Sequence, residues 1–153
     1  MKRYMRKIWI TLLLTLPCLF AYGDETQSIT LRTLKGFYVS AESGYLTDSS
    51  GNLIAFTVAG HEIAFGDGTA RGVVTFAIQG RPVQQGIAYT ATYTLNADGR
   101  VSKTATTSQG VVLHYDLYPT PDGSTIASIQ TDAGAFLSGV FTRSSGKEQQ
   151  NQQ

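Results

Sequence analysis

Ile87-Ala88-Tyr89-Thr90-Ala91-Thr92-Tyr93-Thr94-Leu95-Asn96-Ala97-Asp98-Gly99 is the stretch on which the fold turns. Ile87, Tyr89, Ala91, Tyr93 and Leu95 share one phase of a two-residue period, and Ala88, Thr90, Thr92 and Thr94 share the other. Successive side chains of an extended chain point to opposite faces, so this is a strand with one buried face. Asn96 to Gly99 closes it as a hairpin turn.

The same grammar repeats on both sides. Gly36 to Leu46 reads as the first strand, with Phe37, Val39 and Ala41 on one face, and Thr47 to Asn52 as the loop after it. Leu53 to Phe65 is apolar but interrupted at Ala59-Gly60, which predicts two short strands or one strand with a bulge. Gly66-Asp67-Gly68 marks a turn, and Gly72 to Gln79 alternates with Val74, Phe76 and Ile78 in phase. Gln79 to Gly86 reads as a loop, because Pro82 cannot donate to a ladder. Arg100 to Ser108, rich in Thr and Ser, predicts a strand solvated on one side. Val111 to Tyr118, then Pro119 to Gly123 as a turn, then Ser124 to Gln130 and Ala135 to Arg143 complete the series. No stretch carries a sustained 3.6-residue apolar period.

Seven to nine short strands with short connections predict an all-β antiparallel meander. Such a sheet buries its apolar face either by closing on itself or by folding into two layers. A Greek-key sandwich needs long crossovers, and none is visible, so the expectation is a small barrel of about eight strands. Its interior would be just wide enough for side chains or one small ligand.

The chain opens with Lys2, Arg3, Arg6 and Lys7 and no acid, then an apolar run from Ile8 to Phe20, then Ala21-Tyr22-Gly23. That order predicts a secretory signal over residues 1–23, cut after Gly23. The apolar run, at 1.5 Å per residue, spans roughly 20 Å and falls short of a ~30 Å hydrocarbon core. Cys18 raises lipidation as a minor alternative, although Leu16 and Pro17 are poor neighbours for it. Removal of the leader takes four of the twelve Lys and Arg and none of the eleven acids, leaving a formal charge of −3. No basic cluster then remains to release counterions from nucleic acid or to meet an anionic membrane. The single cysteine leaves too, which excludes a disulfide and a Cys-based metal site from the remainder. Residues 24–33 read as a polar lead-in, 34–143 as the β domain, and 144–153 as a disordered polar tail. The expected location is outside the cytoplasm, periplasmic or secreted, with no transmembrane segment after signal removal.

His114, Asp116 and Tyr118 share one strand face, about 6.5–7 Å between alternate Cα atoms. If that register points inward, an imidazole, a carboxylate and a phenol line a cavity and suit ligand contacts or proton transfer. The alternative is that the apolar register, Leu113, Tyr115 and Leu117, is the core and the polar one meets water, since a buried carboxylate without a partner is costly. His61 and Glu62 are adjacent and so point to opposite faces, and two histidines are too few for a metal centre. Asp67, Asp98, Asp122 and Asp132 all stand at or near glycine, where turn chemistry accounts for them. There is no Gly-x-Ser-x-Gly elbow, no Ser-x-x-Lys in a plausible setting and no helix after Gly66-Asp67-Gly68 to hold phosphate. Phe37, Phe56, Phe65, Phe76, Tyr89, Tyr93, Tyr115, Phe136 and Phe141 read as core, and are also compatible with an apolar cavity. No cofactor is implied.

Ala91-Thr92-Tyr93-Thr94-Leu95-Asn96-Ala97-Asp98-Gly99, Ile129-Gln130-Thr131-Asp132-Ala133-Gly134 and Leu137-Ser138-Gly139-Val140-Phe141-Thr142-Arg143 together resemble a group of small exported bacterial proteins. Their pattern is a Tyr-x-x-Asn-x-Asp-Gly hairpin followed by a final Thr-Asp-x-Gly, Ser-Gly, Arg hairpin. Where that pattern has a Gly-Thr-rich strand after the Asp-Gly turn, this chain has Arg100-Val101-Ser102-Lys103. The resemblance covers residues 87–143 closely and 34–143 loosely, and implies a small barrel like the allene oxide cyclase and dirigent barrels or the lipocalins. It supplies no active site. The functional expectation is an exported, non-enzymatic barrel that takes a small apolar ligand or a protein partner. Its alternatives are a barrel enzyme of the allene oxide cyclase or dirigent kind, and a structural or interaction protein of the envelope that pairs through a sheet edge, as in an oligomer.

Overall fold

The computed structural model describes residues 29–145. The expected leader at residues 1–23, with Cys18, lies outside them, as does most of the polar tail. Eight strands follow one short 3-10 turn, Leu31–Leu34: β1 Gly36–Thr47, β2 Leu53–Ala64, β3 Thr69–Ile78, β4 Gln84–Leu95, β5 Val101–Thr107, β6 Val112–Pro119, β7 Thr125–Gln130 and β8 Ala135–Arg143. Each pairs antiparallel with the next, and β8 returns to β1, so the sheet is a closed barrel in meander order. Closure removes both edges that an open sheet of this kind would present.

Short connections and a two-residue alternation, interrupted once near the start of β4, put one register of every strand inside. The tightest packing is at Val101, Leu117, Leu137 and Tyr38, each 0–1% exposed. Burial of such side chains, at roughly 1.5–3 kcal/mol each, is the main force holding the barrel shut. One end is closed. Thr30 caps the 3-10 turn and Leu34 is buried beneath it. Arg143, from the end of β8, stacks over the Tyr38 ring at 5.5 Å and donates to Tyr38 Oη at 2.9 Å and to the carbonyl of Thr33. Tyr38 Oη in turn donates to the Gly123 carbonyl at 2.8 Å, tying the turn, β1, β8 and the β6–β7 loop together.

Three sequence expectations are corrected. Leu53 to Ala64 is a single strand with no bulge, paired without interruption to β1 and β3. Gly60 is there for space, since a Cβ would meet Val74 Cγ1 at 2.7 Å. The register shift falls instead between Val74 and Phe76, where β3 meets β4, and β4 begins at Gln84 inside the stretch read as a loop. On β1 the inward register is Tyr38, Ser40 and Glu42, and Val39 on the other register is 52% exposed. Phe37, Phe65 and Phe136 likewise sit on the outer surface, unlike the other six aromatics read as core. The solvated face expected for Arg100 to Ser108 is present as Ser102, Thr104 and Thr106.

A candidate ligand site inside the barrel

Two strands carry opposite charges into the interior. Alternation along β2 turns His61 outward and Glu62 inward, in phase with Phe56 and Val58. Along β5 it turns Lys103 inward, between Val101 and Ala105. Lys103 Nζ lies 2.7 Å from Glu62 Oε2, with both side chains almost fully enclosed. The ammonium also sits 4.5 Å from the Phe141 ring centroid and 5.2–5.7 Å from those of Tyr89, Tyr115 and Tyr93. Rings placed this way hold a cation by their quadrupoles.

Tyr89 Oη donates to Glu62 Oε2 at 2.8 Å, and Tyr93 Oη donates to Glu62 Oε1. Burial, reinforced by the Glu62 charge, pushes both phenols far above their ordinary range, so they remain donors. Burial raises Tyr115 as well, with Glu42 adding to it. Tyr89 reaches this position because β3 has Gly72 opposite it: a Cβ there would stand 2.6 Å from ring atoms Cε1 and Cζ.

A second carboxyl, Glu42 on β1, is also buried. Ser128 Oγ on β7 donates to its Oε1 at 2.6 Å. Burial lifts the Glu42 carboxyl above its ordinary value, partly offset by the Ser128 hydrogen bond and the Lys103 charge. Gly139 on β8 makes room for it, since a Cβ would stand 2.5 Å from Glu42 Cγ.

The strand order places Glu62, Tyr93 and Lys103 near the closed end of their strands and Tyr89 and Glu42 about midway, all below an open mouth at the β1–β2, β3–β4, β5–β6 and β7–β8 loops. At the mouth lies an apolar cavity of about 210 Å³, walled by Leu46, Phe56, Phe76, Ile78, Val111 and Leu113, with Gln84, Gln109 and Gln130 at its polar points. Below it a hollow of about 30 Å³ shares Phe76, Thr107 and Leu113 with the mouth and is bounded by Glu42, Lys103, Tyr89, Tyr115 and Phe141. Gln130 is 6% exposed, and among the described residues its buried Oε1 acceptor has no partner. Its Nε2 donates to Asp132 Oδ2 at 2.8 Å, which fixes the orientation of the amide. A buried acceptor left unpaired costs about 1–3 kcal/mol, so this atom marks a place where a donor belongs.

The residues singled out from the sequence lie elsewhere. Tyr115 and Leu117 point inward, so His114, Asp116 and Tyr118 line the outer wall of β6, and the cavity-facing arrangement is not the one adopted. His114 is exposed and meets Asp132 Oδ1 at 2.7 Å; Asp116 accepts from Arg100 Nη1 at 2.6 Å; Tyr118 is 54% exposed. His61 stacks on Phe37 outside the barrel, centroids 5.3 Å apart. Asp67, Asp98 and Asp122 accept from residues two positions on, as turn chemistry requires, whereas Asp132 ties its loop to the His114 amide. Among the described residues no three His, Cys, Asp or Glu converge as a metal site, and no helix is long and apolar enough to cross a membrane. The sequence singles out neither Glu42, Lys103 nor Gln130 as site residues, and Glu62 enters only beside His61, weighed as a metal ligand. The available signal was a charge of each sign lodged in phase with apolar neighbours, Glu62 with Val58 and Lys103 with Val101.

Fold and site together define a small closed β-barrel with an apolar mouth above a buried polar floor. No family model matches the chain, and no curated protein matches it. Among solved structures it is similar to two redesigned β-barrels, mFAP0 and mFAP1, each described as bound to DFHBI. The first is 17% identical, with TM-score 0.46, covering 72% of this chain and 99% of that one. The second is 16% identical, with TM-score 0.48, covering 74% and 98%. At this level the likeness adds nothing to the strand pairing already described.

Proposed function

We propose that this protein is an exported barrel that binds a small, largely apolar molecule in its open end. The observation that carries the reading is the mouth cavity: apolar walls with a buried acceptor, Gln130 Oε1, that has no partner among the described residues. Specific sites for small molecules combine these features, an apolar lining with a few placed polar groups. At about 210 Å³ the cavity suits a compact ligand. Export to the periplasm or beyond is supported by the basic start, the short apolar run and the small residues at 21–23.

The test is native mass spectrometry of residues 24–153 purified from the host's own envelope fraction, beside a Leu113→Trp variant that fills the mouth. The expected result is a retained small molecule in the native protein and its loss in the variant. An apo mass in the native protein, with no stabilisation by any member of a small-molecule panel, would refute the binding reading, and a multimer in the same spectrum would turn attention to a protein partner.

A second reading is favoured by Glu42 and Tyr115 in the hollow beneath the mouth. A barrel enzyme of the allene oxide cyclase or dirigent kind shapes a reactive molecule with few catalytic groups, and a buried carboxyl and a phenol are such groups. Under that reading the retained molecule would be chemically altered on incubation with the protein, and unaltered with Glu42→Gln.

A further inference from the structure

Inside the barrel the acids outnumber the bases. Glu62 and Lys103 neutralise each other at 2.7 Å, and Glu62 is further held by two phenols. Glu42 has no such counter-charge in contact: among the described residues Ser128 is its only hydrogen-bond partner. Lys103 offers little to an incoming anion, because it is 3% exposed and ringed by four aromatic side chains.

Gln130 Oε1, which lacks a donor among the described residues, and Glu42, which has only Ser128, lie on one wall. Glu42 is paired across the sheet with Gly139, Gly139 with Ser128, and Gln130 is the next inward residue beyond Ser128 on β7. One pleat pair, about 6.5–7 Å along the strand, separates their levels. Gln130 lines the apolar mouth with its Oε1 buried in the wall, and Glu42 lines the hollow. A space of about 30 Å³ holds one group the size of a water molecule, and an ammonium is of that size. Tyr115 and Phe141 face the same space, and aromatic faces favour cations.

Resting on the ligand-binding reading above, we propose that the cavity selects an amine, with an alkyl or aryl body in the mouth and its ammonium group against Glu42. Burial raises the Glu42 carboxyl, so the empty barrel favours its protonated form more than water does, with the Lys103 charge only partly offsetting this. An ammonium against it favours the ionised form, so whatever proton Glu42 holds leaves to solvent as the ion pair forms. The titratable groups around that pair are Glu62 on β2, Tyr89 and Tyr93 on β4, Lys103 on β5 and Tyr115 on β6, while β3, β7 and β8 contribute none.

The experiment compares three probes of equal chain length, hexylamine, 1-hexanol and hexanoate, by NMR titration of the purified protein and of Glu42→Gln. The expected result is amine affinity about tenfold to a hundredfold above alcohol, the range of a charge-assisted hydrogen bond, with hexanoate weakest. Amine binding acidifies weakly buffered solution; alcohol binding does not. Glu42→Gln keeps an acceptor for Ser128 and removes the charge, so it should lose the preference for the amine over 1-hexanol. Equal affinity for amine and alcohol, a preference that survives in Glu42→Gln, or tightest binding of hexanoate would each overturn the amine assignment while leaving the cavity as a ligand site. If none of the probes bound, the site itself would fall, and the amine assignment with it.

Discussion

Replacing Lys103 with methionine tests whether the interior is organised as described. The substitution keeps an unbranched side chain of similar length and removes the charge. It leaves Glu62, 1% exposed, with two phenol donors but no counter-ion. Removing one partner of a buried pair costs about 3–5 kcal/mol, because the remaining charge stays desolvated. Loss of the ammonium's contacts with four rings acts in the same direction. In a domain of this size that corresponds to a fall in Tm of roughly 10–25 °C. Urea titration followed by near-ultraviolet circular dichroism should show a lower midpoint with an unchanged slope. The Glu62→Gln/Lys103→Met double variant should recover more than half of the loss, since the carboxamide oxygen still accepts from one phenol, its NH2 donates to the other, and it carries no charge. A loss below about 1 kcal/mol, the range of a surface pair, would refute the reasoning, as would a double variant no more stable than Lys103→Met.

Gly72→Ala should cost about 1–3 kcal/mol by overpacking, because the new Cβ meets the Tyr89 ring at 2.6 Å; equilibrium unfolding reads the loss. Arg143→Met should cost about 1.5–3 kcal/mol and speed amide exchange selectively at residues 31–34, where its hydrogen bonds hold the closed end. Glu42 holds its proton to higher pH in the fold than in the unfolded chain, so its contribution is present at low pH and is lost as pH rises from about 4.5 through the raised folded value; urea melts from pH 4 to 8 should show Glu42→Gln gaining on the native protein over that window. His114→Ala and Asp116→Ala should each change stability by less than about 1 kcal/mol, as exposed pairs do, and leave cavity binding unaltered in the same probe titrations.

Strand number, turn positions and closure were legible because alternation and glycine-bearing turns are local signals. The choice of inward face was legible only where the two registers differ sharply. On β4, Tyr89, Ala91 and Tyr93 against threonines leaves no ambiguity. On β1 the outward register, Phe37, Val39 and Ala41, is the more apolar one, and Glu42 goes inside where Ser128 on β7 donates to it and Gly139 on β8 leaves it room. Those partners lie nearly a hundred residues away, and no window on the sequence contains them. The same holds for Lys103, whose place is set by Glu62 across the barrel and by rings from three other strands. On β6, Tyr115 and Leu117 went inward, as one of the two sequence readings required, and His114, Asp116 and Tyr118 consequently met water.

An eight-stranded barrel is narrow enough to be filled by its own side chains, so a cavity in one needs a cause. Here inward-facing glycines at 44, 60, 72 and 139 remove side chains from the interior, and the space near Gly72 and Gly139 is taken by Tyr89 and Glu42. An all-apolar floor would fill that space with less desolvation cost, and exchanging a buried pair for packed hydrocarbon is often neutral or stabilising. Stability alone therefore gives no reason for a carboxylate, an ammonium and three phenols inside the barrel. Their effect is positional. The Glu62–Lys103–tyrosine layer is held by directional contacts on four strands, whereas an apolar floor can slide or collapse into the mouth. It stops the cavity at a fixed depth and leaves Glu42 and Gln130 as the groups an occupant meets, which is the arrangement expected of a site that reads the polar end of a small ligand.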